Sequence, residues 1–125
     1  VKDVNDLYGH AAGDAVLRET ALRMRRILRR TDYLGRYGGE EFAVLLPDTG
    51  PDDLIALAER LRGAVGASAV EYGDTGIPVT ASIGVATLRA GGTASLEKLL
   101  DAADKALYQA KAAGRNRVSA LPFCD

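Results

Sequence analysis

Tyr33-Leu34-Gly35-Arg36-Tyr37-Gly38-Gly39-Glu40-Glu41-Phe42-Ala43-Val44-Leu45-Leu46 reads as strand, tight turn, strand. The paired glycines accept positive φ with no Cβ clash, and Pro47, with no N–H to give a ladder, ends the second strand. Outward from this β-hairpin the apolar period changes. On the N-terminal side Val16, Leu17, Ala21, Met24 and Leu28 recur at helical spacing among arginines, which predicts one amphipathic helix from about Ala12 to Arg30.

On the C-terminal side Pro51 opens a second helix with Leu54, Leu57, Ala58, Leu61 and Val65 on its inner face. Asp52 and Asp53 sit near the positive end of its dipole, and Gly66 closes it. Residues 69–72 and 77–87 read as two more strands around the turn signal Gly73-Asp74-Thr75-Gly76, the second of them central. A third helix from about Ser95 to Ala113 carries Leu96, Leu99, Leu100, Ala103, Ala106, Leu107 and Ala110, with Gly114 at the C′ position; a short strand follows near Arg117 to Ala120. This order predicts an α+β fold, a central antiparallel-rich sheet flanked by helices.

A length of 125 residues suits one domain with its own core. Sixteen basic against seventeen acidic residues leave a net charge of −1, so nothing general draws the chain to nucleic acid or to an anionic membrane. Any phosphate site must be local. The single cysteine, Cys124, excludes an intrachain disulfide and a cysteine-built zinc site, and no apolar run approaches the roughly 20 residues that span a bilayer.

The hairpin turn Arg36-Tyr37-Gly38-Gly39-Glu40-Glu41-Phe42 is the most informative segment. Two bare glycines let a ligand reach the main chain while adjacent carboxylates reach a hard cation, an arrangement suited to magnesium and phosphate. A hydrated surface turn is the plain alternative. Gly38-Gly39-Glu40-Glu41-Phe42 has company, however. Val1-Lys2-Asp3-Val4-Asn5-Asp6 with Gly9-His10 and Gly13-Asp14, Ala81-Ser82-Ile83-Gly84-Val85-Ala86, and Ala103 to Lys111 with Gly114-Arg115-Asn116 follow in order. Together these segments resemble the GGDEF domain family of diguanylate cyclases, the hairpin turn being the GGEEF form of its signature.

The resemblance implies the nucleotidyl cyclase or polymerase palm fold and the condensation of two GTP molecules into cyclic di-GMP with release of pyrophosphate. It implies that Asn5 and Asp14 read guanine, and that Lys2, Lys111 and Arg115 hold the triphosphate. Lys111 and Arg115, as i, i+4 neighbours, are expected to share a face near the helix end. Structural alternatives are a turn residue for Asn5, a helix N-cap for Asp14 and a solvated basic face for the cations. It implies Glu40 as the metal-binding acid for Mg2+ (or Mn2+), Glu41 as its catalytic neighbour, and main-chain N–H groups at Gly38 and Gly39 for phosphate. The resemblance also implies one GTP per domain, and hence a homodimer for catalysis.

Arg29-Arg30-Thr31-Asp32 resembles the family's RxxD inhibitory site for cyclic di-GMP, and Arg60 a secondary arginine of that site. Such a domain is expected in the cytoplasm, even where the parent protein is membrane-anchored, with a sensory domain upstream. The family's first strand, with a further metal-binding aspartate, has no counterpart before Val1, so residues 1–125 are expected to be an N-terminally incomplete GGDEF domain. The rival reading is a non-catalytic receptor for cyclic di-GMP or GTP; a purely structural dimerisation module is the third.

Overall fold

The computed structural model describes residues 6–36, 41–47, 49–88 and 95–121. They form α1 (His10–Arg25), β1 (Tyr33–Arg36), β2 (Phe42–Leu45), α2 (Pro51–Val65), β3 (Val70–Tyr72), β4 (Thr75–Ile77), β5 (Ile83–Val85), α3 (Leu96–Ala112) and β6 (Val118–Ala120). The mixed helix and strand content is that of an α+β fold. Two compact units emerge, one from 1–48 with 64–79 and one from 49–63 with 80–125.

In the first unit α1 buries Ala12, Gly13, Val16, Leu17 and Met24. Ala12 and Val16 meet Val70 and Ile77 of the β3–β4 hairpin, with Val79 packed beside them. Burying a side chain of this size contributes about 1.5–3 kcal/mol. Arg23 fastens the same helix to the chain that leaves α2. Its guanidinium donates to the carbonyls of Val65 (2.7 Å), Ser68 (2.6 Å) and Ala69 (3.1 Å), while its Nε donates to Glu19 (3.2 Å). Carbonyls that a helix end leaves without intrahelical partners are thereby satisfied.

Three expectations change here. The first helix stops at Arg25, five residues short of Arg30. Ile27 N–H already turns back to the Met24 carbonyl (3.0 Å), and Arg29 N–H donates to the Asp32 carboxylate (2.7 Å) instead of continuing the helix. A side-chain acceptor has outcompeted the helical carbonyl. The expected strand 77–87 is also broken. Ile77 ends β4 and Pro78 follows, with a fixed φ and no donor, so β5 begins only at Ile83. The turn before β4 is tighter than expected, because Tyr72 pairs with Thr75 and only Gly73 (φ 59°) and Asp74 lie between them.

The second unit is built on β5, α3 and β6. β5 and β6 run parallel in the register Ile83↔Val118, Gly84↔Ser119, Val85↔Ala120, with α3 as the crossover. The helix starts at Ser95, whose Oγ accepts the Lys98 N–H (3.2 Å), and buries Ala106 and Ala110 completely. Gly84 is where the strand passes closest to the helix. A Cβ there would overlap the Ala103 carbonyl oxygen and the Leu107 nitrogen, and would lie 2.8 Å from Leu107 Cα. Only glycine permits this approach.

The β1–β2 hairpin is antiparallel, with Tyr33 opposite Leu45 and Arg36 opposite Phe42. Among the described residues the strands pair as three two-stranded ladders, and β5 has β6 as its one neighbour, so the central position expected for it is not seen there.

Candidate functional site

Asp14 lies on α1, exposed, one turn inside the helix. The helix begins after Gly9 (φ 95°), so Asp14 is not its N-cap. Asp14, Leu17, Arg18 and Ala21 of α1 form one wall of a cleft of about 390 Å³, and Arg36 and Phe42 of the hairpin form the other. Arg36 and Phe42 are the last register pair before the signature turn, so the cleft lies at the turn's base. It combines an acid with two arginines. The sequence reading assigns neither arginine a role, although Arg36 opens the signature turn and Arg18, four residues after Asp14, shares its helix face.

Glu41, half-buried, leads directly into β2, and its carboxylate is a donor type that Mg2+ accepts. Lys2, Asn5, Gly38, Gly39 and Glu40 lie outside the described residues. Among the described residues, no three His, Cys, Asp or Glu side chains group as a metal cage.

A second arginine site follows α1. Arg29 and Asp32 close on each other through Nη2 to Oδ1 (2.9 Å), Nε to both carboxylate oxygens (3.1 and 3.2 Å), and Asp32 N–H to the Arg29 carbonyl (3.0 Å). Nη2 also donates to the Pro47 carbonyl (3.1 Å). The Asp32 side chain is fully covered while that of Arg29 is 52% exposed. Hydrogen bonds from the Arg29 guanidinium hold Asp32 below the ordinary carboxylate value of 3.8; burial opposes this, and Arg29's N–H and charge add to it. Arg25, Leu28, Arg29, Arg30, Asp32 and Leu34 surround a hollow of about 290 Å³, three of them cationic. Arg60 is exposed on α2.

The third site follows α3. Gly114 N–H donates to the Lys111 carbonyl (3.3 Å) and Arg115 N–H to that of Ala110 (3.0 Å), a Schellman closure. Arg115 is therefore off the helix, and the i, i+4 pairing expected with Lys111 is replaced by a turn in which Gly114, Arg115 and Asn116 have φ of 125°, 63° and 47°.

The model of the family described as "Diguanylate cyclase, GGDEF domain" matches residues 1–117. The chain belongs to the GGDEF family. It is 45% identical over 118 residues to diguanylate cyclase A of Treponema denticola, covering 94% of this chain and 32% of that protein. It is 49% identical over 119 residues to the response regulator PleD of Caulobacter vibrioides, covering 94% and 26%. Among solved structures, diguanylate cyclase SiaD of Pseudomonas aeruginosa, in complex with its activator SiaC, superposes at a TM-score of 0.90 with 42% identity, over 96% of this chain and 45% of that one. The GGDEF domain of DgcB from Caulobacter crescentus, in complex with c-di-GMP, gives 0.86 with 34% identity, over 95% and 70%. The fold is thus that of GGDEF domains. Among the described residues no helix is long and apolar enough to cross a membrane.

Proposed function

We propose that this GGDEF domain is a diguanylate cyclase that joins two GTP molecules into cyclic di-GMP and is inhibited by its product. The observation that carries this reading is the cleft at the base of the signature hairpin, where Asp14 and Arg18 of α1 lie across from Arg36 and Phe42. A carboxylate accepts paired N–H groups from the guanine edge, and guanidinium groups suit phosphate oxygens.

In this reading Asn5 and Asp14 bind guanine, Lys2, Lys111 and Arg115 hold the triphosphate, and the main chain at Gly38 and Gly39 donates to it. The 3′-hydroxyl of one GTP attacks the α-phosphorus of the other. The new O3′–P bond replaces the bond to pyrophosphate, which leaves, and the hydroxyl proton passes to solvent; a second such step closes the ring. Mg2+ or Mn2+, when bound by Glu40 with Glu41 beside it, supplies positive charge that polarises phosphate oxygens. Two copies of the domain face each other, each with one GTP, in the cytoplasm where GTP is made available, and a sensory domain elsewhere on the polypeptide governs their meeting.

Arg29 and Asp32 form the product site, with Arg60 as a second contact. The hollow rimmed by Arg25, Arg29 and Arg30 fits a dianionic ligand. That same preformed turn would also serve a non-catalytic receptor. Cyclic di-GMP synthesis from GTP and Mg2+ by the full-length protein, lost in Glu40→Ala, supports the cyclase. Synthesis unchanged by Glu40→Ala overturns the site, and cyclic di-GMP binding without synthesis selects the receptor.

A further inference from the structure

We propose that Arg62 of α2 is a positioning residue for the triphosphate arginine Arg115, acting through Asn116; this rests on the reading of Arg115 given above. Three consecutive left-handed residues follow α3, and only the first is glycine. The left-handed region is unfavourable for a residue with a Cβ; asparagine tolerates it and arginine has no local compensation. Such a conformation persists where its surroundings over-determine it, and strain of this kind collects at functional sites.

The surroundings are specific. Asn116 N–H donates to Ser82 Oγ (3.1 Å), and Asn116 Oδ1 accepts from Arg62 Nη1 (3.0 Å). Arg62 is itself oriented by Glu59, one turn earlier on α2, through Nε (3.0 Å) and Nη2 (2.9 Å). On the other side Arg117 Nε donates to the Arg115 carbonyl (3.1 Å), and the Arg117 carbonyl accepts Ile83 N–H (3.0 Å). Arg115 is thus pinned on both flanks, while its own exposed guanidinium has no protein partner among the described residues. Arg62 spends its hydrogen bonds on Glu59 and Asn116, so its influence on an anion runs through the backbone it fixes. Pre-organising a cation in this way lowers the ordering cost of binding.

The test is titration calorimetry of the full-length protein with 3′-deoxy-GTP, which lacks the attacking hydroxyl and so binds without turnover, alongside thermal melts. Arg115→Ala should weaken binding about tenfold to a hundredfold. Arg62→Ala and Asn116→Ala should each weaken it about three- to tenfold, and Asn116→Asp, which keeps the acceptor and tolerates the left-handed region, should restore it. In an Arg115→Ala background Arg62→Ala should add nothing, because the path ends at Arg115. Additive losses, or an Arg62→Ala variant that melts earlier yet binds normally, overturn the proposal. If Arg115→Ala itself binds normally, the assignment of Arg115 to the triphosphate fails first and the inference falls with it. Asn116→Gly, which keeps the backbone but removes the acceptor, decides the matter should Arg62→Ala not fold: weaker binding supports the brace and unchanged binding sinks it.

Discussion

The turns that follow α1 and α3 both leave a helix end and both present an arginine, yet they settle it in opposite ways. After α1, Arg29 closes on Asp32, three residues away, and no described residue of that turn has positive φ. After α3, Arg115 has no such carboxylate among the described residues, its backbone is strained, and the bracing comes from Arg62 and Ser82, 54 and 34 residues from Asn116. A turn satisfied locally is self-contained, and a ligand must compete with Asp32 for Arg29. A turn braced from afar depends on the packing of its unit, and in return offers its cation to whatever anion arrives.

The largest break in this contrast comes from Gly84. A methyl group there meets the α3 backbone, so Gly84→Ala should cost about 3 kcal/mol or more, measured by urea denaturation, and remove the support of the second turn. A stability loss under 1 kcal/mol would show that strand and helix part easily. Next, Arg115→Gly and Arg115→Ala both delete the guanidinium, but only glycine relaxes the left-handed backbone. The glycine variant should be more stable by about 1 kcal/mol. Equal stability would mean that the turn is not strained, and the comparison would lose its basis.

The smallest effect belongs to Asp32→Asn, since an ion pair whose cation is half exposed contributes little; its melting temperature should fall by no more than about 5 °C at neutral pH. The sign with pH is definite. Asp32 has a folded-state value held below its ordinary 3.8, so the unfolded chain binds the proton more readily. The stabilisation is complete above 3.8 and disappears as pH falls through the lower folded value. Melting curves of the two proteins should therefore converge in acid, whereas a gap that stays constant down to pH 2 would assign the effect to shape rather than charge.

The sequence was most legible where one residue type settles a local geometry. Pro51 at the first position of α2, Ser95 capping α3 and Gly114 closing it stand where their chemistry requires. The overrun of α1 has a local cause of the other kind. Residues 26–30 are good helix formers, and only the Asp32 carboxylate, competing for a backbone N–H, ends the helix sooner. Val79, Ala81, Ile83 and Val85 alternate as a strand should, but Pro78 before them has a fixed φ and no N–H, and the strand breaks there. The fork of Arg23 and the brace from Arg62 left no periodic trace, because their partners are distant in the chain and include carbonyls that every residue carries. At the candidate site, Asp14 is legible from a motif and Arg18 lies beside it at i+4, while Arg36 joins them only when helix and hairpin are placed together.

The parallel pairing of β5 with β6 sets a timetable for the growing chain. No tight turn can zip two strands that run the same way, and β6 cannot be aligned until the 17-residue α3 has carried the chain back. At a synthesis rate of about 5–20 residues per second, roughly 2 to 7 seconds separate the appearance of Val85 from that of Val118. During that interval β5 lacks its parallel partner on the ribosome, and α3, whose hydrogen bonds are all local, is the element that can shelter it, with Gly84 as the seat on which it first lands.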